Sequence, residues 1–490
     1  MTSNSEEIVQ QVQHEFQHLL AYVTGPEAQG QSAYMVERTL FRRLLALGAA
    51  LLRLFFVTRA AVRPAEPVSA PDGTLLRYHD QRPTIYDSVF GKVLLVRHYF
   101  TAPGHPGYCP LDAELSLPAR CYSDLLCEWV AYGTTDESYR ESRTVLERIL
   151  GLSLSVQALE ASVAEAAGEV TAFYAQPAAP SPPATDATIL VVQADGKGVP
   201  MVQPSPPAPP VRLGKGEKRG KKKEAVVTGL YTIAPYRRTP QEVVAALLPE
   251  AGRPQTSARP GPVEKELHAT LEGKAVAMTR LVQRVIPREG THIQHRVALT
   301  DGAESLQQQL VSHLPAYTLV LDIIHATEYL WDTATVLLGE THPHRTAWVR
   351  SYLEPVLAGQ MEAVITALEA EAHDPACTAP QRQAVQRTIG YYRRNRPYMR
   401  YDEYLAQGWP IGTGVIEGAC GHLVKDRMEQ SGMRWTKAGA QAVLDLRAVR
   451  INGHWDRYWQ FHRQQQHQRL YHNATPVPEQ AESHLLEWAA

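Results

Sequence analysis

The sequence predicts an α/β protein of several domains: a mostly α-helical N-terminal region, then an α/β core interrupted by a helical insertion. Three observations predict this. Helical spacing and helix caps recur through residues 1–65 and 121–174. After a Pro/Ala-rich run, AQPAAPSPPATDA at 175–187, buried-strand patterns alternate with helical ones. Near the C-terminus, Gly408–Trp435 reads GWPIGTGVIEGACGHLVKDRMEQSGMRW, a glycine-broken extended entry running into a helix. At about 150 residues per domain, 490 residues make about three domains, with ample chain for a full core.

Composition bounds the function. The chain is 44% hydrophobic and 20% charged, as in a soluble globular protein. A net charge of −2 does not announce a nucleic-acid partner, so any such partner is held by local patches. The five cysteines are scattered without a CxxC pair, which argues for a reducing compartment and against a zinc module. Residues 40–57 (LFRRLLALGAALLRLFFV) are strongly apolar. However, Arg42, Arg43 and Arg53 would each cost ~2.5–3.5 kcal/mol near a bilayer centre. No signal-peptide layout precedes them, so they read as a core or partner-facing helix.

In order along the chain, residues 1–65 are helical and 66–120 carry short strand-like runs such as KVLLVRHYF. His105 and Cys109 are too few for a metal knuckle and read as structural. A helix at 122–132 is expected to end at Gly133. Thr134 and Glu137 form a capping-box pattern for a second helix reaching about Leu150. Gly151 breaks it, and Ser155 opens a third helix to about Ala167. Three short helices of this kind, at 122–168, fit a helix-turn-helix or a plain helical bundle. In the former, Gln157 is exposed on the third helix, although Glu160 and Glu165 make it a poor surface for phosphates.

Beyond the linker, ILVV runs into Gln193-Ala194-Asp195-Gly196, so Asp195 is expected to end a buried strand. A basic segment follows: Arg212, Lys215, Lys218, Arg219, Lys221, Lys222 and Lys223, opposed by Glu217 alone. GxxxxGK[ST] is not met, which excludes a nucleotide triphosphatase. A solvated loop and a phosphate-backbone contact both fit the segment. AVVTGLYTIA (225–234) reads as a strand and 263–285 as a helix. HRVALT (295–300) is a strand ending at Asp301, with a helix from Glu304. YTLVLDII (317–324) is a strand ending near Asp322, followed by a helix bearing His325 and Glu328. Residues 343–405 read as a mainly helical insertion. Within it, YYRRNRPYMRY (391–401) interleaves tyrosines with Arg393, Arg394, Arg396 and Arg400, which suits nucleic-acid contact or the packing of a helical hairpin. A capped helix at 436–452 and a Gln/His-rich helical tail close the chain.

In Gly408–Trp435, Thr413 is the expected N-cap and Glu417 lies in the first turn, where the helix dipole favours a carboxylate. Glycine inside a helix costs about 1 kcal/mol relative to alanine, so Gly414, Gly418 and Gly421 need a reason. Close approach of a backbone, a metal or a polyanion is such a reason, and tight helix packing is the plain alternative. Lys425, Arg434 and Trp435 follow as candidate DNA contacts.

Asp195 and Asp301 at strand ends, with Glu417 on a late helix, come in the element order of a ribonuclease H-like fold. In open α/β sheets sites form at strand ends. Convergent carboxylates suit two Mg²⁺ ions on either side of a scissile phosphorus, one activating the attacking water or 3′-hydroxyl and the other stabilising the leaving oxygen.

The sequence resembles the DDE transposases of the ISKra-type group of bacterial insertion sequences. The resemblance covers nearly the whole chain, through PLDAELSLPARCYSDLL (110–126), VVQADGKGVPM (191–201), ALTDGAESLQQQL (298–310), LVLDIIHATEYLWDTA (319–334) and the Gly408–Trp435 stretch. It implies that Asp195, Asp301 and Glu417 are the catalytic triad. Asp322-Ile-Ile-His325 looks like the D(2)H signature of Mutator-like transposases, which implies Asp322 as a further metal ligand and His325 as a catalytic residue. Implied with these are Mg²⁺ as cofactor (Mn²⁺ substituting), double-stranded DNA as partner, a homo-oligomer on DNA, and a cytoplasmic location. Many family members carry cysteine pairs where this chain has TAPGHPGY, so a zinc-stabilised N-terminal module is not carried over. The expected layout is an end-binding region at 1–174, a linker at 175–187, core segments at 188–342 and 408–452 around an insertion at 343–407, and a tail at 453–490. A metal-dependent nuclease or resolvase without strand joining, and a transposase-derived repressor, are the rival readings.

Overall fold

The strands of the central sheet are apolar on both faces. In β4 (Ile189–Pro200), Ile189 and Val191 enter one core while Leu190, Val192 and Ala194 enter another, and all are fully buried. Such double burial is what near-continuous Val/Ile/Leu runs produce when helices cover a sheet on both sides. This computed structural model describes residues 3–176, 186–203, 222–249, 259–430 and 432–471. Most of the expected linker, and Arg212, Lys215, Lys218, Arg219 and Lys221 of the basic segment, lie outside the described residues.

The chain divides into two compact units, residues 1–169 with 454–490 and residues 170–453. In the first, helices α1 (Ser3–Thr24) and α2 (Ala33–Ala60) precede a sheet of β1 (Val68–Ser69), β2 (Leu75–Ser88) and β3 (Gly91–Thr101). Phe56 of α2 is buried with Val93 and Leu95, which makes the apolar stretch at 40–57 a partly core-facing helix. Among the described residues no helix is long and apolar enough to cross a membrane. Three helices follow: α3 (Asp124–Asp136), α4 (Tyr139–Leu150) and α5 (Val156–Ala166). Gly133 does not end the first of them, and the Thr134–Glu137 capping box does not form. Thr134 is buried and returns its hydroxyl to the Val130 carbonyl, while Ser138 and Glu141 make the box instead. Gly151, with φ +75°, and the Ser155 cap fall where expected. Helix Trp455–Tyr471 packs in this unit, with Trp455 Nε1 donating to Glu128 and His462 Nδ1 2.6 Å from Glu169.

The second unit holds a five-stranded mixed sheet in the order β6-β5-β4-β7-β8, with β5 (Lys222–Ile233), β6 (Val263–Thr270), β7 (His295–Thr300) and β8 (Thr318–Leu321). Here β4, β5 and β6 form an antiparallel meander, and β7 and β8 run parallel to β4. Asp195 does not end its strand, because β4 continues past it, paired to β5 as far as Pro200–Lys222. The helix expected over 263–285 is β6 followed, after a turn at Gly273, by α7 (Lys274–Val285). The alternating VEKELHAT pairs with β5 in preference to coiling. Helix α6 (Pro240–Leu247) lies between β5 and β6. Helices α8 (Glu304–His313) and α9 (Ile323–Leu338) follow β7 and β8. The insertion is helical as expected: α10 (Arg345–Leu357), α11 (Met361–His373), α12 (Ala379–Asn395) and α13 (Tyr401–Ala406). It fills the core on the Ile189–Val191 side of the sheet. The chain then returns through α14 (Gly414–Ala419), a π-helical turn at Cys420–Lys425 and α15 (Lys437–Ile451), capped by Thr436.

Candidate metal centre

Register alone brings the strand-borne acids together. β4 pairs with β7 through Gln193–Leu299, and β7 with β8 through Thr300–Leu321. Asp195 and Asp301 each lie two residues past the last β4–β7 pair, and Asp301 and Asp322 each one past the last β7–β8 pair, so the three acids follow the ends of neighbouring parallel ladders. The Asp322 amide donates to the Thr300 carbonyl at 2.9 Å, extending the β7–β8 ladder to Asp322. Adjacent strands lie about 4.8 Å apart, so these acids concentrate negative charge along the C-terminal edge of the parallel part of the sheet.

The three acids are not equivalent. Asp322 is fully buried and caps α9. Its Oδ1 accepts from the amides of Ile324 (3.1 Å) and Thr413 (3.2 Å). Its Oδ2 accepts from the amide and Nδ1 of His325 (3.4 and 2.7 Å) and from the Thr413 hydroxyl (3.0 Å). Asp301 uses Oδ1 to accept from the Ala303 amide at 2.9 Å, and among the described residues no hydrogen bond reaches its Oδ2. Asp195 accepts from the Gly196 amide at 2.6 Å and from the Cys420 thiol at 3.2 Å. Burial, and then the adjacent Asp195, push the Cys420 thiol far above its ordinary range, so it stays a neutral donor.

Glu417 reaches this edge because α14 is pinned at its start. Ile323 donates to the Ile411 carbonyl at 2.9 Å, which lays 411–413 beside the head of α9. The Ile416 amide in the first turn is shared between the Thr413 carbonyl and the fully buried Gln193 side chain, each at 2.9 Å. Gln193 in turn donates to the Tyr231 hydroxyl at 3.0 Å. Thr413 precedes the helix as expected, but its hydroxyl makes no cap. It lies 2.7 Å from Glu417 Oε1 as well as 3.0 Å from Asp322. One hydroxyl carries one proton and can donate to only one of these carboxylates, so a cation beside them would relieve the remaining repulsion.

Asp322, His325 and Glu417 each place a ligand atom within 4.8 Å of the others, the spacing of a site that can hold a metal ion. Asp322 is buried, His325 half-buried and Glu417 exposed, so the group opens to solvent on the Glu417 side. The Asp322 hydrogen bond, working against partial burial and helped by the Asp322 charge, raises His325 to about 9, so coordination of a metal through its outward nitrogen would require that proton to leave. The His325 Nδ1–Asp322 bond also fixes which ring nitrogen faces outward. The glycines of α14 and the turn after it are not tightly packed. A Cβ at Gly414 or Gly421 would meet nothing within 4 Å, and one at Gly418 only His422 at 4.0 Å, so Glu417 projects from a bare face.

The tyrosines of 391–401 pack the insertion against the site and do not stack outward. Tyr391, Tyr392 and Tyr401 are buried and donate to the carbonyls of Asp301 (3.1 Å), Ala326 (2.9 Å) and Leu321 (3.0 Å). Gly302, with φ +93°, is required there, because a Cβ would come 2.5 Å from the Tyr391 hydroxyl. Arg394 donates to the Gly302 carbonyl, while Arg393 and Arg396 are exposed and paired with Glu369 and Glu362. Trp435, expected as a DNA contact, does not lie on the surface. It is buried, its Nε1 donates to the Met428 carbonyl, and Arg427 covers its ring. Lys425, Arg434 and Gln157 are exposed, as is Lys223, and Lys222 pairs with Glu429.

Gln193 is a site residue that the sequence reading does not single out. The signal for Gln193 was present: a lone amide in an apolar strand, two residues before Asp195 and therefore on the same face. No protein-family model and no characterised protein matches the sequence. What the fold and the site define is a class: a mixed α/β protein with an acidic, histidine-bearing cluster at the edge of its parallel strands.

Proposed function

We propose that the chain is a DNA transposase of the DDE type, cutting transposon ends and joining the freed 3′-hydroxyl to target DNA. The observation that supports this reading is that Asp195 and Asp301 follow paired segments of neighbouring strands, while Asp322, just past the end of the next strand, lies with His325 and Glu417 in a group that can hold a metal ion. The strand order, numbered within the unit third-second-first-fourth-fifth with the last two parallel to the first, supports a ribonuclease H-like core. The helices α3–α5, with Gln157 exposed, support a helix-turn-helix that reads the transposon end.

Asp195, Asp301 and Glu417 would hold two Mg²⁺ or Mn²⁺ ions, as hard oxygen donors suit, and such ions supply Lewis-acid stabilisation of the transferring phosphoryl group. Asp322 anchors the head of α9 and holds His325 charged. The outward imidazolium N–H then donates to a non-bridging phosphate oxygen as negative charge develops. Thr413 and Gln193 fix where Glu417 stands. Lys425, Arg434 and Lys223, with the basic segment before it, supply phosphate contacts that position the duplex without reading its sequence. The protein acts on double-stranded DNA as a homo-oligomer, each copy engaging one transposon end.

The test is a strand-transfer assay with the full-length chain, the inverted-repeat DNA flanking its gene, supplied pre-cut, and Mg²⁺ or Mn²⁺. Joined products that vanish with EDTA are expected. Nicking without joining would make the chain a nuclease, and binding without either would make it a repressor.

A further inference from the structure

The helical hairpin of α1 and α2 leaves a stripe of its own surface uncovered. Within α2, Phe56 enters the core with Val93 and Leu95 of β3, and Arg43 stacks on Tyr22 of α1. On another side of the same helix Phe41, Leu44, Leu51 and Phe55 stay 41–48% exposed. With Gly48 they follow a three-four-three-four spacing, the seam by which one helix meets another, narrower than the face a helix turns to a globular core. Gly48 leaves no gap in the seam. The Phe90 ring, from the turn between β2 and β3 and itself exposed, stands 2.7 Å from where a Gly48 Cβ would lie. No charge interrupts the seam between Glu37, four residues before it, and Arg59, four residues after it. In α1, Phe16, Leu20 and Val23 are exposed at the same four-three spacing. Monomeric proteins rarely leave so continuous a run of apolar side chains open, and such a run marks a contact surface.

Three features make the occupant a second copy of this chain. The seam is near-symmetric about Gly48, so an antiparallel two-fold axis there sets Phe41 of each copy near Phe55 of the other, and Leu44 near Leu51. The charges at its ends complement one another in that direction only: Glu37 meets Arg59, whereas parallel pairing would set like charges together. Arg59 can exchange partners, because its pair with Glu114, at 3.1 Å, is about half exposed on both sides and worth little. The area is also adequate. At roughly half of the 150–250 Å² such large side chains bury, the five of the seam and the three of α1 offer on the order of 700 Å² per copy, near the ~800 Å² that one partner gives a standard interface. We propose that two copies of the chain pair through this seam, antiparallel and without DNA. The pairing goes beyond the DNA-bound assembly above and does not rest on the reaction assigned to the second unit.

The test is sedimentation velocity of the full-length chain at micromolar concentration, without DNA or metal. A mass twice the 54.5 kDa of one chain is expected. Leu44→Lys combined with Leu51→Lys should give single chains that keep the circular dichroism of the folded protein, because both side chains are already half exposed. Phe41→Glu, at another point of the seam, should do the same and serves if the first variant does not fold. Glu37→Arg should weaken the dimer about 3-fold, and adding Arg59→Glu should restore it, because the reversed pair is complementary again. A wild-type chain that sediments as a monomer overturns the proposal. A dimer that survives the folded seam variants overturns it too, by placing the contact elsewhere. A Glu37→Arg dimer that Arg59→Glu fails to restore removes the antiparallel register.

Discussion

Asp322 and Glu417 are joined through a single hydroxyl: Thr413 Oγ1 lies 3.0 Å from one carboxylate and 2.7 Å from the other. Asp322 is sealed in the core with five hydrogen bonds, while Glu417 faces solvent on a glycine-bare helix face. On the proposed function Asp322 serves the scaffold and Glu417 the reaction, so their mutants should part in behaviour.

Asp322→Ala is expected to destabilise the chain by ~3–5 kcal/mol, because it breaks a buried charge pair and removes the cap of α9. Asp195→Asn, Asp301→Asn and Glu417→Gln should leave the denaturation midpoint within ~1 kcal/mol of wild type and abolish Mg²⁺-dependent cutting. Denaturant titration beside a cleavage assay separates the groups. An Asp195, Asp301 or Glu417 variant cutting at the normal rate would remove that residue from the site.

His325 should titrate near 9 when followed by NMR, and return toward its ordinary value in Asp322→Asn. Its folded value lies above the unfolded one of about 6.5, so the stability it contributes is full below that pH and lost as pH rises through 9. Over that window the loss amounts to about 3 kcal/mol by linkage. An equal fall in stability between pH 6.5 and 9 in wild type and His325→Ala would show that the shift does not exist.

Thr413→Val keeps the shape and removes the hydroxyl. Expected are a loss of ~10-fold or more in cutting rate and, because one buried hydrogen bond is lost, a destabilisation of ~1–2 kcal/mol. Thr413→Ser should recover most of the rate. Failure of serine to rescue would mean that the methyl group, and not the hydroxyl, matters.

Tyr391→Phe removes the hydrogen bond to the Asp301 carbonyl at the cost of ~0.5–1.5 kcal/mol. Asp301 then loses the brace the insertion provides, and cutting should slow more than the stability change explains. Unchanged kinetics would leave the insertion a packing element only.

Neutralising Lys425 and Arg434 together should lower the salt slope of DNA binding by up to ~0.9 for each phosphate left unpaired, since both cations are exposed. Arg393→Ala and Arg396→Ala should change it little, because each of those cations already faces a glutamate. Equal effects from both pairs would mean that the duplex lies across the insertion.

Much of the framework was legible because its signals are local. β7, β8, α8, α9 and the Thr436-capped helix follow from apolar runs, caps and breakers within a few residues. The misreadings share a different origin. VEKELHAT became a strand because β5 offered it a partner, and Asp195 lies inside a strand because β5 continues past it. Trp435 has the composition of a nucleic-acid surface and the burial of a core, and for the tyrosines of 391–401 it is the packing alternative that the structure shows, because composition does not record which way a helix turns.

The sequence by itself determined which residues carry acid, imidazole and positive charge, and set Asp195, Asp301 and Asp322 next to strand segments. Only the tertiary structure decided that Asp195, Asp301 and Asp322 follow the ends of neighbouring parallel ladders, that Asp322 is sealed while Glu417 is open, and that Gln193 and Thr413 hold them in place. The reason is physical: strand register and hydrogen bonds between residues far apart in the chain depend on which surfaces meet, and no local pattern of side chains encodes that.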